Sequence, residues 1–346
     1  MYQYNDLQTG WNYGLKKRKV SFYNSSHYTT SRHRVYIPSF LNLMSISVKK
    51  YKHKRLPHWL KTRLPGTSRF FQLKSLLKKS GLNTVCESAS CPNIGTCWDA
   101  GTLTFMILGD SCSRSCRFCD VPTGSLSIPD PDEPDKVALS LSKLGLKFAV
   151  ITSVDRDDLP DGGAGQWVQT IKAIRNQCPG VKIETLIPDF QGKTKLIEQI
   201  CEVGPDVLAH NLETVESLQK NVRPQCRYDW SLKTLEVASK RKGLIVKSGL
   251  MLGLGEKKEE VIQTMKDLVE AGCHILSIGQ YLRPSPAHTE VVEFIHPDCF
   301  AEFKVTGESL GLKHVEAGPL VRSSYLADRQ AKAVGLKDSS IFYDPE

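Results

Sequence analysis

Six of the chain's eleven cysteines fall between positions 86 and 119 in two groups of three, and thiolates so concentrated are suited to holding metal. Cys112, Cys116 and Cys119 stand in the run GDSCSRSCRFCD, spaced C-x3-C-x2-C. A cubane iron–sulfur cluster takes four thiolates, so a compact loop that offers three leaves one iron with an open position, as a centre needs when it must bind and activate a small molecule. Upstream, Cys86, Cys91 and Cys97 stand in CESASCPNIGTC, spaced C-x4-C-x5-C, where Pro92 and Gly95 bend the chain so that three sulfurs can converge. One four-ligand metal shared by both groups would strand two thiolates, so two separate centres is the economical reading. A zinc loop is the alternative, but zinc sites pair two C-x2-C or C-x2-H units rather than using this asymmetric triplet. The remaining cysteines, Cys178, Cys201, Cys226, Cys273 and Cys299, are scattered singly and read as small buried apolar residues.

A scaffold must bring these loops together. Short apolar runs over 103–108, 148–152, 181–187, 207–210, 244–250 and 275–280 read as buried strands. Between them, 135–144, 166–177, 193–203, 228–241 and 257–271 carry apolar residues three and four apart, as helices packed on a sheet do. Parallel strands need crossover helices, so the alternation predicts an α/β fold: a partial (β/α)6 TIM-like barrel with chemistry at the strands' carboxyl ends. An open doubly wound sheet is the structural alternative. The barrel is expected over 102–296. An N-terminal extension over 57–101, with a helix near 70–79, carries one cysteine group, and a C-terminal extension covers 297–346.

Charge is unevenly distributed. Residues 1–66 hold 13 Lys/Arg and one acid, Asp6, whereas the rest of the chain carries 33 basic and 36 acidic residues. A body that grips nucleic acid should itself be basic, so no nucleic-acid partner is expected. No run approaches the ~18–20 apolar residues that span a bilayer, so no membrane partner is expected either. The basic, Ser- and Tyr-rich stretch 1–56 has the composition of a transit peptide, with a solvated tail or an over-long start, Met44 being the initiator, as alternatives. Without a hydrophobic secretory segment the compartment is reducing. Cytoplasm is the first expectation, and plastid or mitochondrion the alternative if the tail is a transit peptide.

The C-x3-C-x2-C spacing with an aromatic, Phe118, before its last cysteine resembles the cluster loop of radical S-adenosylmethionine enzymes. The upstream spacing, together with GPLVRSSYLAD at 318–328, closely resembles the lipoyl synthase family within that superfamily. So do TSVDRDDLPDGGA at 152–164, AHNLETV at 209–215, MLGLGE at 251–256 and GQYLRPS at 279–285, and the resemblance spans about residues 57–335. It implies two [4Fe-4S] clusters and S-adenosyl-L-methionine. The iron left open by Cys112, Cys116 and Cys119 would chelate the methionine moiety and pass an electron into the sulfonium, releasing a 5′-deoxyadenosyl radical. That radical would abstract hydrogen at C6 and then C8 of an octanoyl chain amide-linked to a lysine, and sulfur would come from the auxiliary cluster. The resemblance places that cluster on Cys86, Cys91, Cys97 and a serine oxygen, carried over to Ser324, with Ser323 as second choice. An alkoxide is a harder ligand than thiolate and suits a cluster that must be dismantled. Arg322 beside it could neutralise the cluster or orient the serine.

Implied partners are octanoylated lipoyl-domain proteins, namely 2-oxoacid dehydrogenase acyltransferase subunits and the glycine cleavage H protein. A ferredoxin or flavodoxin would supply electrons, and an iron–sulfur carrier would resupply the cluster. The superfamily's Gly-Gly-Glu motif is not evident, and SVDRDDLPDGG occupies its place. Cofactor contacts are therefore assigned by chemistry. Backbone groups around Thr152 and Ser153 are expected to hold the ammonium, Asn211 and Glu213 the ribose hydroxyls, and Gly253 and Gly255 to let the backbone approach the nucleoside. His210, at a strand end, reads as a core or supporting histidine. Another radical sulfur-inserting enzyme and an iron–sulfur electron carrier are the rival readings, and a carrier would not need a six-unit barrel.

Overall fold

The computed structural model describes residues 56–62, 65–99 and 102–337, so the expected tail over 1–55 lies outside the described residues. The chain enters through a 3-10 turn, His58–Leu60, into α1 (Ser68–Ser80), where the Thr67 hydroxyl accepts from Phe70 N at 3.2 Å and caps the helix. Next come β1 (Asn83–Thr84), α2 (Val85–Ser88) and α3 (Ile94–Asp99). Phe70, Leu73 and Leu77 form the buried stripe of α1, and the Phe70 ring lies 5.0 Å from fully buried Trp98 of α3.

From β2 (Thr104–Ile107) the chain alternates through α4 (Glu133–Leu144), β3 (Phe148–Ser153), α5 (Ala164–Gln177), β4 (Lys182–Leu186), α6 (Thr194–Glu202) and β5 (Val207–Ala209). It continues through α7 (Gln219–Val222), α8 (Tyr228–Ser239), β6 (Ile245–Leu252), α9 (Lys258–Glu270), β7 (Ile275–Gln280), α10 (Pro297–Leu310), β8 (His314–Ala317) and α11 (Ala327–Ala333). The strands lie side by side in chain order, and each from β2 to β8 is parallel to the next. A doubly wound sheet reverses its order at a switch point; this one never does, so it curls towards a barrel. Its edges do not meet. β8 does not pair with β2, whose outer edge instead takes the antiparallel β1, Thr84 opposite Phe105.

All six expected strands are present, and the sheet continues past residue 296. β8 pairs with β7 from Ile275↔His314 to Ile278↔Ala317, so α10 and β8 add a further unit to the sheet. HVEA is short and mostly polar, with Val315 alone fully buried, and hydropathy cannot signal a strand whose evidence is its neighbour. Among the described residues no helix is long and apolar enough to cross a membrane.

Inward-facing positions alternate along the strands and fill the barrel. Two of them are charged: Lys247 on β6 places Nζ 2.8 Å from Glu184 Oε1 on β4, with both side chains shielded from solvent. Lys247→Met would leave Glu184 as an uncompensated buried carboxylate, costing ~3–5 kcal/mol, while Lys247→Met with Glu184→Leu should recover most of that loss. Urea unfolding of the cluster-free protein measures both, and a single variant as stable as the parent would show that the pair does not hold β4 to β6.

Candidate functional site

A cavity of about 520 Å³ opens at the carboxyl ends of the strands. Cys112, Cys116 and Cys119, from the loop after β2, line it together with Cys86 and Cys91 from the N-terminal extension. Cys97 is not part of the lining but lies close enough to Cys91 and Cys86 to feel their charge. Phe118 also lines the cavity and packs with Val222, Leu254 and Tyr281. Among the described residues no three His, Cys, Asp or Glu side chains converge tightly enough to hold a single metal ion. Sulfurs spread around one cavity suit the separate corners of a cubane.

Cys86, Cys97, Cys112, Cys116 and Cys119 are all raised above the ordinary thiol value. Cys97 and Cys112 are pushed up to about 12 and Cys119 to about 11, chiefly by desolvation, and Cys86 moves in the same direction. Cys116 rises first through its hydrogen bond with Cys226 and then through burial. Thiols held protonated in this way need a strong positive charge to ionise them, and iron supplies one. The donor set therefore fits an iron–sulfur group.

Arg114 anchors the cluster loop from beneath, with only 1% of its side chain exposed. Its guanidinium donates twice to Asp157 (2.7 and 2.9 Å) and twice to Asp189 (2.7 and 2.9 Å), and lies 3.4 Å from Asp155. These carboxylates come from the loops after β3 and β4, so one side chain ties three strand ends together. Nη1 of Arg114 also reaches Cys226 Sγ at 3.2 Å. Cys226 is therefore buried as expected, but as a polar partner of Arg114 and Cys116 rather than as apolar filling. Asp155 faces the cavity beside Cys112, whose Sγ accepts from Asp155 N at 3.3 Å. Burial raises the Asp155 carboxyl against the lowering effect of Arg114. The acid-rich DRDD run is thus engaged with arginines, Arg156 pairing with Asp158 at 2.8 Å.

The expected cofactor contacts divide. Thr152, Ser153, Asn211 and Glu213 all line the cavity, and Ser153 Oγ is buried there without a partner. The Thr152 hydroxyl donates to Leu186 O at 3.2 Å. Asn211 Nδ2 donates to Glu213 Oε1 at 3.0 Å, and Gly249 makes room for this, since a Cβ there would lie 2.7 Å from Asn211 Oδ1. Gly253 and Gly255 lie outside the lining. Gly253 has φ +98°, and a Cβ on it would lie 2.2 Å from Gln280 Nε2, so the turn and its packing account for glycine there without a nucleoside.

The loop after β8 brings Ser323 and Ser324 to the same cavity. Asn93 Nδ2 in the N-terminal extension donates to Leu320 O at 2.6 Å and bridges the two terminal segments. Ser323 Oγ donates to Asn211 Oδ1 at 3.1 Å, whereas Ser324 has no hydrogen-bond partner among the described residues, which leaves its hydroxyl the freer of the two. His210 is a supporting residue: Nδ1–H donates to Ile187 O at 2.8 Å and Nε2 accepts from Ser231 Oγ at 2.9 Å, which defines the neutral tautomer.

Arg114, Asp155, Asp189 and Cys226 escaped the sequence reading. Arg114 stands 75 positions from Asp189 and 112 from Cys226, so only its place inside a tight cysteine loop marked it in advance.

Comparison with known proteins agrees with this geometry. The sequence profile of the Radical SAM superfamily matches residues 106–268, and that of the N-terminal domain of lipoyl synthase of the Radical SAM family matches 38–91. The lipoyl synthase of Flavobacterium johnsoniae is 53% identical over 274 residues, 79% of this chain and 95% of that protein. The mitochondrial lipoyl synthase of Nematostella vectensis is 51% identical over 273 residues, 79% and 94% of the two chains. That of Thermus thermophilus is 50% identical over 276 residues, 79% and 85%.

Two outcomes follow from this electrostatics. Arg114→Ala strands buried carboxylates under the cluster loop and should lower iron retained by Cys112, Cys116 and Cys119 while leaving iron at Cys86, Cys91 and Cys97; quantifying iron in variants that keep one trio measures this, and equal loss at both trios would contradict it. Burial and then Arg223 hold His210 down to about 4, against 6.5 for a free imidazole. Unfolded chains take up that proton first, so the stability His210 contributes is complete above 6.5 and is lost as pH falls towards 4. His210 alone should lower the unfolding free energy of the cluster-free protein by up to ~3 kcal/mol across that interval, and His210→Asn should remove that share, leaving that of His274, which burial also lowers, and the opposing shares of Glu133, Asp155, Glu213 and Glu256, whose carboxyls burial raises.

Proposed function

The chain belongs to the lipoyl synthase family of radical S-adenosylmethionine enzymes, and on that premise we propose that its cavity inserts two sulfur atoms, at C6 and C8, into the octanoyl chain of a protein-bound N6-octanoyl-lysine. It is a sulfur-inserting enzyme, and membership of the superfamily brings S-adenosylmethionine and a [4Fe-4S] cluster. The observation that carries the fuller reading is that cysteines of both trios, from opposite sides of β2, line one cavity with Ser324. Cys112, Cys116 and Cys119 would hold the cluster that binds S-adenosylmethionine, and Cys86, Cys91, Cys97 and Ser324 a second that is the sulfur donor. When bound, the first supplies the electron that splits the sulfonium and the second supplies sulfide.

The chain's own residues position the rest. Unpartnered Ser153 Oγ and the Asp155 carboxylate face the cavity beside Cys112 and suit the ammonium of the methionine moiety. Asn211 and Glu213 present amide and carboxylate to ribose hydroxyls, and Phe118 offers an apolar face to the nucleoside. Lipoyl-domain proteins would deliver the acylated lysine. A ferredoxin or flavodoxin would provide electrons, and an iron–sulfur carrier would restore the donor cluster.

Anaerobically reconstituted protein, given an octanoyl-lysine peptide, S-adenosylmethionine and a reductant, should yield a product heavier by two sulfur atoms. Ser324→Ala should cut sulfur insertion roughly 10- to 100-fold while 5′-deoxyadenosine still forms, and Ser323→Ala should retain insertion at a higher level. Desaturated product without sulfur, or iron sufficient for one cluster in the intact protein, would overturn the two-cluster reading.

A further inference from the structure

We propose that Arg322 is the resident counter-charge of the second cluster, a positioning residue that holds negative charge at the site of Cys86, Cys91, Cys97 and Ser324. The proposal rests on the two-cluster reading above. Arg322 faces the cavity from the loop after β8, immediately before the two serines. Of the other arginines lining the cavity, Arg114 is paired with three carboxylates and Arg283 with Glu290, while Arg223 donates to the carbonyls of Asn211 and Leu212 and, among the described residues, shares Arg322's lack of a carboxylate, but on a different element from the serines. Arg322 donates from Nη1 to the carbonyl of its neighbour Val321 at 2.7 Å, and among the described residues it forms no ion pair with a carboxylate. A guanidinium stays charged in a protein, and a half-buried cation that lines a cavity with no carboxylate on it favours an anion opposite.

The surroundings say which anion. Cys91, a thiol of the second trio, lines the cavity with Arg322, and so does Glu213, but that carboxylate already accepts from Asn211. Nor can the guanidinium withdraw into the sheet. The loop lies flush on β7, where a Cβ on Gly279 would sit 2.0 Å from Val321 O and 3.2 Å from Arg322 Nη1. A cubane ligated by three thiolates and a serine oxygen carries net negative charge, and Arg322 is placed to balance it. The same charge favours the more reduced state, so Arg322 also sets how readily the second cluster takes an electron.

A protein carrying Cys112→Ala, Cys116→Ala and Cys119→Ala isolates the second site. In that background, Arg322→Gln should lower the ratio of reduced to oxidised cluster roughly tenfold at a fixed poise, about 59 mV for one electron, and speed loss of iron to a chelator. Arg322→Lys, which keeps the charge, should restore both readouts towards the parent, and circular dichroism checks that each variant is folded. Unchanged potential and iron loss in Arg322→Gln would overturn the proposal. So would an Arg322→Lys protein as impaired as the glutamine variant, because charge would then not be the agent. If the triple-alanine protein with Arg322 intact binds no cluster, the two-cluster reading fails first and takes this proposal with it.

Discussion

The site depends on a barrel that does not close. Because β8 stops short of β2, the sheet leaves a seam, and the two terminal segments occupy it. Antiparallel pairing of β1 on the outer edge of β2 sets Cys86 beside the first parallel strand, while the loop after β8 carries Arg322, Ser323 and Ser324 to the same cavity from the other edge. A closed barrel would present one cysteine loop at its mouth. The open seam admits a second trio and a serine from segments more than 200 residues apart, and the Asn93 bond to Leu320 O, 227 positions away, joins them directly.

Charged groups surround the two trios differently. On the side of Cys112, Cys116 and Cys119 negative charge is in excess: Asp155, Asp157 and Asp189 share the single guanidinium of Arg114, with Arg223 buried close by. Such a surround suits a positively charged ligand group and a loop that must be rigid before its metal arrives. Near Cys91, Arg322 has no carboxylate bound to it among the described residues, while Asp120 accepts from Ser90 Oγ at 2.8 Å.

Much of this was legible in the sequence, for a physical reason. Ligand spacing and the alternation of apolar runs with helical stripes are local, so two cysteine trios, six buried strands and the helices between them could be read from neighbouring residues. β8 could not, since a short polar segment becomes a strand only when β7 offers it hydrogen bonds. Gly253 was read as room for a nucleoside, yet its positive φ and the approach of Gln280 require glycine there in any case, and Gly255 is held to glycine by its positive φ. Cysteines read by composition also misled twice, at Cys226, which burial alone did not describe, and at Cys299, which is only partly buried.

What the sequence determined by itself was therefore chemistry of the local kind: which atoms can bind metal, and which segments must be buried. Only the tertiary structure decided which hydroxyl of the RSSY run is the freer, which carboxylates Arg114 engages and that none among the described residues is bound to Arg322. Those properties arise from contacts between residues tens to hundreds of positions apart, and such contacts leave no periodicity or spacing along the chain by which they could be recognised.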